Sequence, residues 1–140
     1  MDFTINSCQK NISQCSGDDP LYTPEIPLIG IFTPTYNRAH CLSRCFESLC
    51  SQTSNNFEWY IIDDGSDDHT NELVNSWTST PFRINYIHKE NGGLHTAYNT
   101  ALSIIKNQLC MCIDSDDWLP KNSIETIELI WDKIKNQNYV

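Results

Sequence analysis

Leu109-Cys110-Met111-Cys112-Ile113-Asp114-Ser115-Asp116-Asp117-Trp118 is the stretch on which the reading of this chain turns. Its first five residues form a short apolar run with the length of a buried strand. The run ends in three carboxylates within four positions. In open α/β sheets, ligands bind outside the carboxyl ends of the strands, so acids placed there line a rim. Crowded carboxylates repel one another unless a cation joins them. Hard oxygen ligands suit Mg²⁺ or Mn²⁺, which one or two carboxylates share with substrate phosphates. A metal–diphosphate site is therefore the first expectation. The competing reading is a solvated acidic turn that opens a helix, where acids favour the helix dipole.

Upstream, the same alternation repeats. Leu28-Ile29-Gly30-Ile31-Phe32 is expected as a buried strand that Pro34 stops, and it belongs in the middle of the sheet because its apolar run does not alternate. Leu42, Cys45, Phe46, Leu49 and Cys50 keep the spacing of one helix face. Trp59 to Ile62 is a second strand, and Leu73, Val74 and Trp77 mark a helix behind it. Arg83 to Ile87 alternates with period two and is a third strand. The turn Asn91-Gly92-Gly93 leads into a helical stripe over Leu94, Ala97, Tyr98, Ala101, Leu102 and Ile105. After the fourth strand, Pro120 and Asn122 open a last helix with Ile124, Ile127, Ile130 and Ile134. Strands separated by helices imply βαβ units and a parallel sheet. Thr33–Arg38, Asp63–Asp68 and Asp114–Asp117 all follow strands, so one sheet edge gathers them. Residues 1–25 are polar and aperiodic and read as a flexible N-terminal tail ahead of a single domain over 26–140.

Bulk properties narrow the partners. A 140-residue chain can bury roughly two thirds of its unfolded surface without disulfides. Its net charge of −9 excludes nucleic acid as a partner, since no basic stripe offsets the repulsion. No run is long and apolar enough for a transmembrane segment. The start of the chain lacks the basic and apolar regions of a secretory signal. The seven cysteines lack C-x-x-C spacing and read as reduced thiols, most of them small core residues. The expected location is cytoplasmic, including the inner face of the membrane. Neither G-x-x-x-x-G-K-[ST] nor G-x-G-x-x-G occurs, so phosphates fall to a metal.

Four blocks, Thr33-Pro34-Thr35-Tyr36-Asn37-Arg38, Ile62-Asp63-Asp64-Gly65-Ser66-Asp67-Asp68, Asn91-Gly92-Gly93 and Asp114-Ser115-Asp116-Asp117, together resemble the family 2 glycosyltransferases of the GT-A fold. The likeness covers about residues 26–140. It implies a Rossmann-like, mostly parallel sheet with helices on both faces, and transfer of a sugar from a nucleotide diphosphate sugar, expected to be a UDP-sugar, to an acceptor hydroxyl with inversion. The acceptor would be a saccharide or a lipid-linked one, in polysaccharide or glycolipid synthesis. By the same resemblance Thr33, Pro34, Tyr36 and Arg38 line the nucleotide pocket, Asp64 accepts a hydrogen bond from the base, and Asp114 approaches the ribose or the metal. Asp116 binds Mg²⁺ or Mn²⁺ directly. Asn91, Gly93, His95 and Asp117 are candidate donor contacts; His95 reads equally as packing at a helix start, and Asp117 as a helix cap. Trp118 is a wall of the sugar pocket or plain core.

In relatives the catalytic base lies after the D-x-D, and here it is expected beyond Val140. The chain then represents a truncated, donor-binding half whose exposed apolar flank favours self-association. The alternative is a non-catalytic nucleotide- or partner-binding module derived from such an enzyme. A nucleotidyltransferase shares the metal logic but lacks its usual G-x-G-[ST]-R loop here.

Overall fold

The computed structural model describes residues 25–137 together with the strand Thr4–Ser7. Five strands form one sheet: β1 (Thr4–Ser7), β2 (Ile29–Thr35), β3 (Phe57–Asp63), β4 (Arg83–His88) and β5 (Leu109–Cys112), in the order β1-β4-β3-β2-β5. The last four are parallel to one another; β1 runs antiparallel along β4, with Thr4 opposite His88 and Ser7 opposite Asn85. Helices α1 (Ala39–Cys50), α2 (Thr70–Ser76) and α3 (Leu94–Ile104) are the crossovers, and α4 (Ser123–Lys135) follows β5. The strand β1 departs from the tail expected over residues 1–25. Four residues of Thr-Ile-Asn-Ser carry too short a pattern to announce a strand, and the open edge of β4 supplies the ladder. The rest of that expected tail, 8–24, lies outside the described residues.

Alternation along β2 and β3 divides the core into two layers. Ile29 and Ile31 with Trp59 and Ile61 face α1, α2 and the start of α4, where they pack on Leu42, Cys45, Leu49, Val74 and Ile124. Phe32, Ile62 and Ile87 face the other way and pack on Ala97 and Ala101 of α3. The expected α/β architecture with helices on both faces is thus present. Three aromatic rings, Phe46, Trp77 and Trp59, stack in the first layer; Phe46 and Trp77 lie 4.0 Å apart between centroids. In the second, Tyr98 meets Phe32 edge-on at 5.0 Å.

Pro34 does not stop the first of these strands, which continues to Thr35 with Pro34 opposite Ile62. The hydrogen-bond pattern explains this. Phe32 accepts from Ile113 on the β5 side, while Thr35 accepts from Asp64 on the β3 side. By alternation Pro34 turns its nitrogen toward the β5 side, beyond Cys112 where β5 has ended. A missing N–H costs nothing where no ladder partner exists. β2 is an interior strand, as expected, although the middle position of the five belongs to β3.

Three other expectations need correction. Among the described cysteines only Cys45 is buried in the core; Cys41 and Cys112 are half-buried, and Cys50 and Cys110 are exposed. The apolar stripe of α4 is covered only at its start: Ile124 is buried, whereas Leu129, Ile130 and Ile134 are exposed. Trp118 is not core, since 53% of it is exposed and the Arg44 guanidinium lies 3.3 Å over its ring. No helix among the described residues is long and apolar enough to cross a membrane.

The Trp59 indole N–H donates to the Thr33 hydroxyl at 2.9 Å inside the first layer, where both residues are fully buried. Thr33→Val leaves that donor unpaired and should lower stability to urea by about 1–3 kcal/mol. Thr33→Ser, which keeps the acceptor, should lose less; equal losses would refute the hydrogen bond as the cause.

Candidate functional site

Between β2 and β5 the strand order reverses direction, because the chain passes from β2 to β3 and β4 and then crosses back to β5. The carboxyl ends of the strands open there into a cleft of about 520 Å³. Its wall comprises Pro34 and Thr35 at the end of β2, Tyr36 and Arg38 after it, Asp64 after β3, Asn91 and Gly93 after β4, the first turn of α3, and Asp114, Ser115 and Asp116 after β5.

Two networks shape this wall. Asn37 takes the left-handed conformation with φ 53°, which Asn tolerates better than most residues. Its N–H donates to Ser66 Oγ at 2.8 Å, and its side-chain oxygen accepts from the Asp67 N–H at 2.9 Å. Asp68 completes the corner. One of its oxygens accepts from the Ala39 N–H that begins α1, the other from the N–H and hydroxyl of Thr70 at the start of α2. One carboxylate therefore caps two helices. Asp63 is fully buried and ties down the turn, accepting from the Ser66 N–H and the Tyr86 hydroxyl.

The second network centres on Asp64. It accepts from Lys89 Nζ, from the N–H groups of Gly92 and Gly93 at 3.0 and 2.7 Å, and from the Thr96 hydroxyl at 3.3 Å. The loop after β4 is thereby held against the loop after β3. Gly65 makes the approach possible: it has φ +81°, and a Cβ there would lie 2.9 Å from the Asn91 nitrogen. Burial would raise the Asp64 carboxyl, but the Lys89 hydrogen bond and the two backbone N–H groups outweigh it and hold the group below its ordinary value. Asp68 is lowered likewise, since bonds from Thr70 and Ala39 outweigh its burial.

The cleft brings together Pro34, Tyr36, Arg38, Asp64, Asn91, Gly93, Asp114 and Asp116. Tyr36 presents a ring that is 50% exposed. Three other expected residues lie elsewhere. Thr33 points into the core toward Trp59 and not into the cleft, because it shares the face of Ile29 and Ile31. His95 is exposed at the start of α3, with its ring beside Gly93, outside the cleft wall. Asp117 closes a turn onto the Asp114 carbonyl and lines a smaller cavity of about 310 Å³ with Cys112 and Trp118. Thr35, Ser115 and Lys89 were not singled out by the sequence. Lys89 had a signal, since it also follows a strand at the same sheet edge.

Among the described residues no group of three or more His, Cys, Asp or Glu side chains converges to hold a metal. The acids at the cleft number two after β5, Asp114 and Asp116. That donor set fits Mg²⁺ or Mn²⁺, which takes one or two carboxylates and completes its shell with phosphate oxygens and water.

Because folding lowers the Asp64 and Asp68 carboxyls, their stabilisation is complete above the ordinary value of 3.8 and is lost as pH falls through the lower folded values. In an NMR titration the Gly92 and Gly93 amide signals should therefore shift with a midpoint below 3.8. A midpoint at or above it would contradict the bracing role of Asp64.

A family model described as Glycosyl transferase family 2 matches residues 30–139. The chain is 38% identical over 100 residues to a chondroitin synthase of Pasteurella multocida, covering 71% of this chain and 10% of that protein. It is 35% identical over 99 residues to the glycosyltransferase GlyA of Streptococcus pneumoniae, covering 71% and 14%. The chain thus spans a small part of these relatives' length. Among solved structures, Staphylococcus aureus TarS 1–349 in complex with UDP superposes with a TM-score of 0.67 at 25% identity, covering 75% of this chain and 32% of that one. The mannosyltransferase PcManGT of Pyrobaculum calidifontis, in complex with GDP-Man and Mn²⁺, shares the fold with a TM-score of 0.63 at 22% identity. With its mostly parallel GT-A-type sheet and this match over most of its length, the chain belongs to the family 2 glycosyltransferases.

Proposed function

We propose that the cleft binds a nucleotide diphosphate sugar, a UDP-sugar, as the donor site of an enzyme that passes the sugar to an acceptor hydroxyl with inversion. The observation that carries this reading is the meeting of Tyr36, Asp64, Asp114 and Asp116 in one cleft at the reversal of strand order. The UDP complex of TarS supports the choice of nucleotide. The Tyr36 ring offers a stacking face to the base. Asp64 offers only acceptors and so suits a base N–H, although most of its capacity already goes to the loop after β4. Asp114 lies toward the ribose, and Asp116 with Asp114 would hold Mg²⁺ or Mn²⁺. When bound, the ion supplies charge neutralisation for the departing diphosphate.

The chain's own residues position the donor and shield the reacting end. The acceptor, a saccharide or lipid-linked sugar in polysaccharide or glycolipid synthesis, must lose a proton to a base. Glu125 and Glu128 do not serve: they accept hydrogen bonds from Thr53 and Asn56, at the opposite end of the sheet from the cleft. Asp132 pairs with Lys135 farther along the same helix. Five free cysteines among the described residues suit a reducing compartment, which supports a cytoplasmic place of action.

Calorimetry with UDP, Mn²⁺ and chelator tests the reading. UDP should bind with Mn²⁺ and lose at least about tenfold in affinity without it. Asp116→Asn should abolish the metal dependence, about the loss of one charged contact, on the order of 1.5–3 kcal/mol. Equal UDP affinity with and without metal would remove Asp116 from the role of ligand.

A further inference from the structure

Arg38 and Asp116 stand 78 positions apart in sequence, yet Arg38 Nη1 donates to Asp116 Oδ2 at 3.3 Å across the mouth of the cleft. The contact is set by the backbone. The left-handed turn at Asn37, fastened to Ser66 and Asp67, determines where Arg38 leaves β2, and the Ala39 N–H bonded to Asp68 anchors the next residue. About half of each side chain stays exposed, so the pair contributes little to folding. Its position is what matters, since Asp116 is the carboxylate that the proposed function gives to a divalent ion.

We infer that Arg38 is the resident counter-cation of Asp116, displaced when a divalent ion binds and then free to grip the diphosphate. This rests on the nucleotide-sugar reading and adds a regulation of the same site. Two cations cannot share one exposed carboxylate without repulsion, so Arg38 competes with the metal when the metal comes alone. Arg38 is itself part of the cleft wall, so its displaced guanidinium stays beside a diphosphate held there. There its planar fork matches two phosphate oxygens. Arg38 therefore penalises metal alone and rewards metal with diphosphate. By linkage each ligand then raises the affinity for the other by the same factor. The donor site stays poorly loaded with bare metal and fills with both together.

The test is direct binding. Mn²⁺ affinity is measured by paramagnetic resonance of the free ion, and UDP affinity by calorimetry, for the parent chain, Arg38→Ala and Arg38→Gln. Arg38 caps α1 through its backbone carbonyl, which accepts from the Cys41 and Leu42 N–H groups, and not through a side-chain hydrogen bond, so both variants should match the parent in circular dichroism. For Mn²⁺ alone, both should bind about two- to fivefold more tightly than the parent. For UDP in saturating Mn²⁺, both should bind roughly fivefold or more weakly. Opposite signs in the two measurements are the signature. Unchanged or weaker binding of Mn²⁺ alone, with UDP binding intact in the parent, would overturn the displacement and leave the nucleotide-sugar reading standing. A parent chain that binds neither Mn²⁺ nor UDP would overturn both.

Discussion

The handedness of parallel crossovers governs this molecule. A strand–helix–strand connection in one sheet is right-handed in nearly every protein. Moving from β2 to β3 to β4 therefore places α1 and α2 on one face. Returning across the sheet to β5 places α3 on the other. At the carboxyl ends the chain therefore leaves β2 and β3 toward one face and β4 toward the other, and these connections part instead of filling the gap. The cleft is the geometric remainder of that reversal. Small residues complete it: Ala97 and Ala101 bring α3 close to the sheet, so its first turn reaches the wall.

Charge is distributed to suit that opening. An acidic chain places Asp64, Asp114 and Asp116 around one cavity, and Asp64 and Asp116 face different counterweights. Asp64 has a half-buried lysine and two backbone N–H groups, which make it part of the scaffold. Among the described residues Asp116 has only an exposed arginine, and its commitment is correspondingly loose. Carboxylates of one type thus divide into a fixed one and an exchangeable one by the strength of their partners.

Much of this was legible in the sequence, and the failures have physical causes. The four parallel strands and four helices follow from periodicity, and the gathering of three loops at one edge follows from parallel topology alone. Motif resemblance assigned Thr33 to the nucleotide, but its parity with Ile29 and Ile31 already directed it to the core. Family motifs report that a loop is important without reporting which of its residues point inward. The span of β2 through Pro34 depended on where β5 ends, which is not a local property. The edge strand β1 is four residues long, below the length at which a pattern speaks. The Asp64–Lys89 pair joins two loops with no shared motif. The bare half of α4 shows the limit of amphipathicity as evidence, since a stripe reveals that a face is apolar and not that something covers it.

Asp68 has a further consequence, for the way this region comes apart. One carboxylate holds the first turns of α1 and α2 together, and the Asn37 corner hangs from the same loop. Release of any one of them removes a partner from the others. The Asn37 corner, the loop from Ser66 to His69 and the first turns of α1 and α2 should therefore open as a single cooperative unit, with their amides sharing one exchange free energy. Ligand held by that corner would then slow exchange in both helices' first turns at once, including residues it never touches.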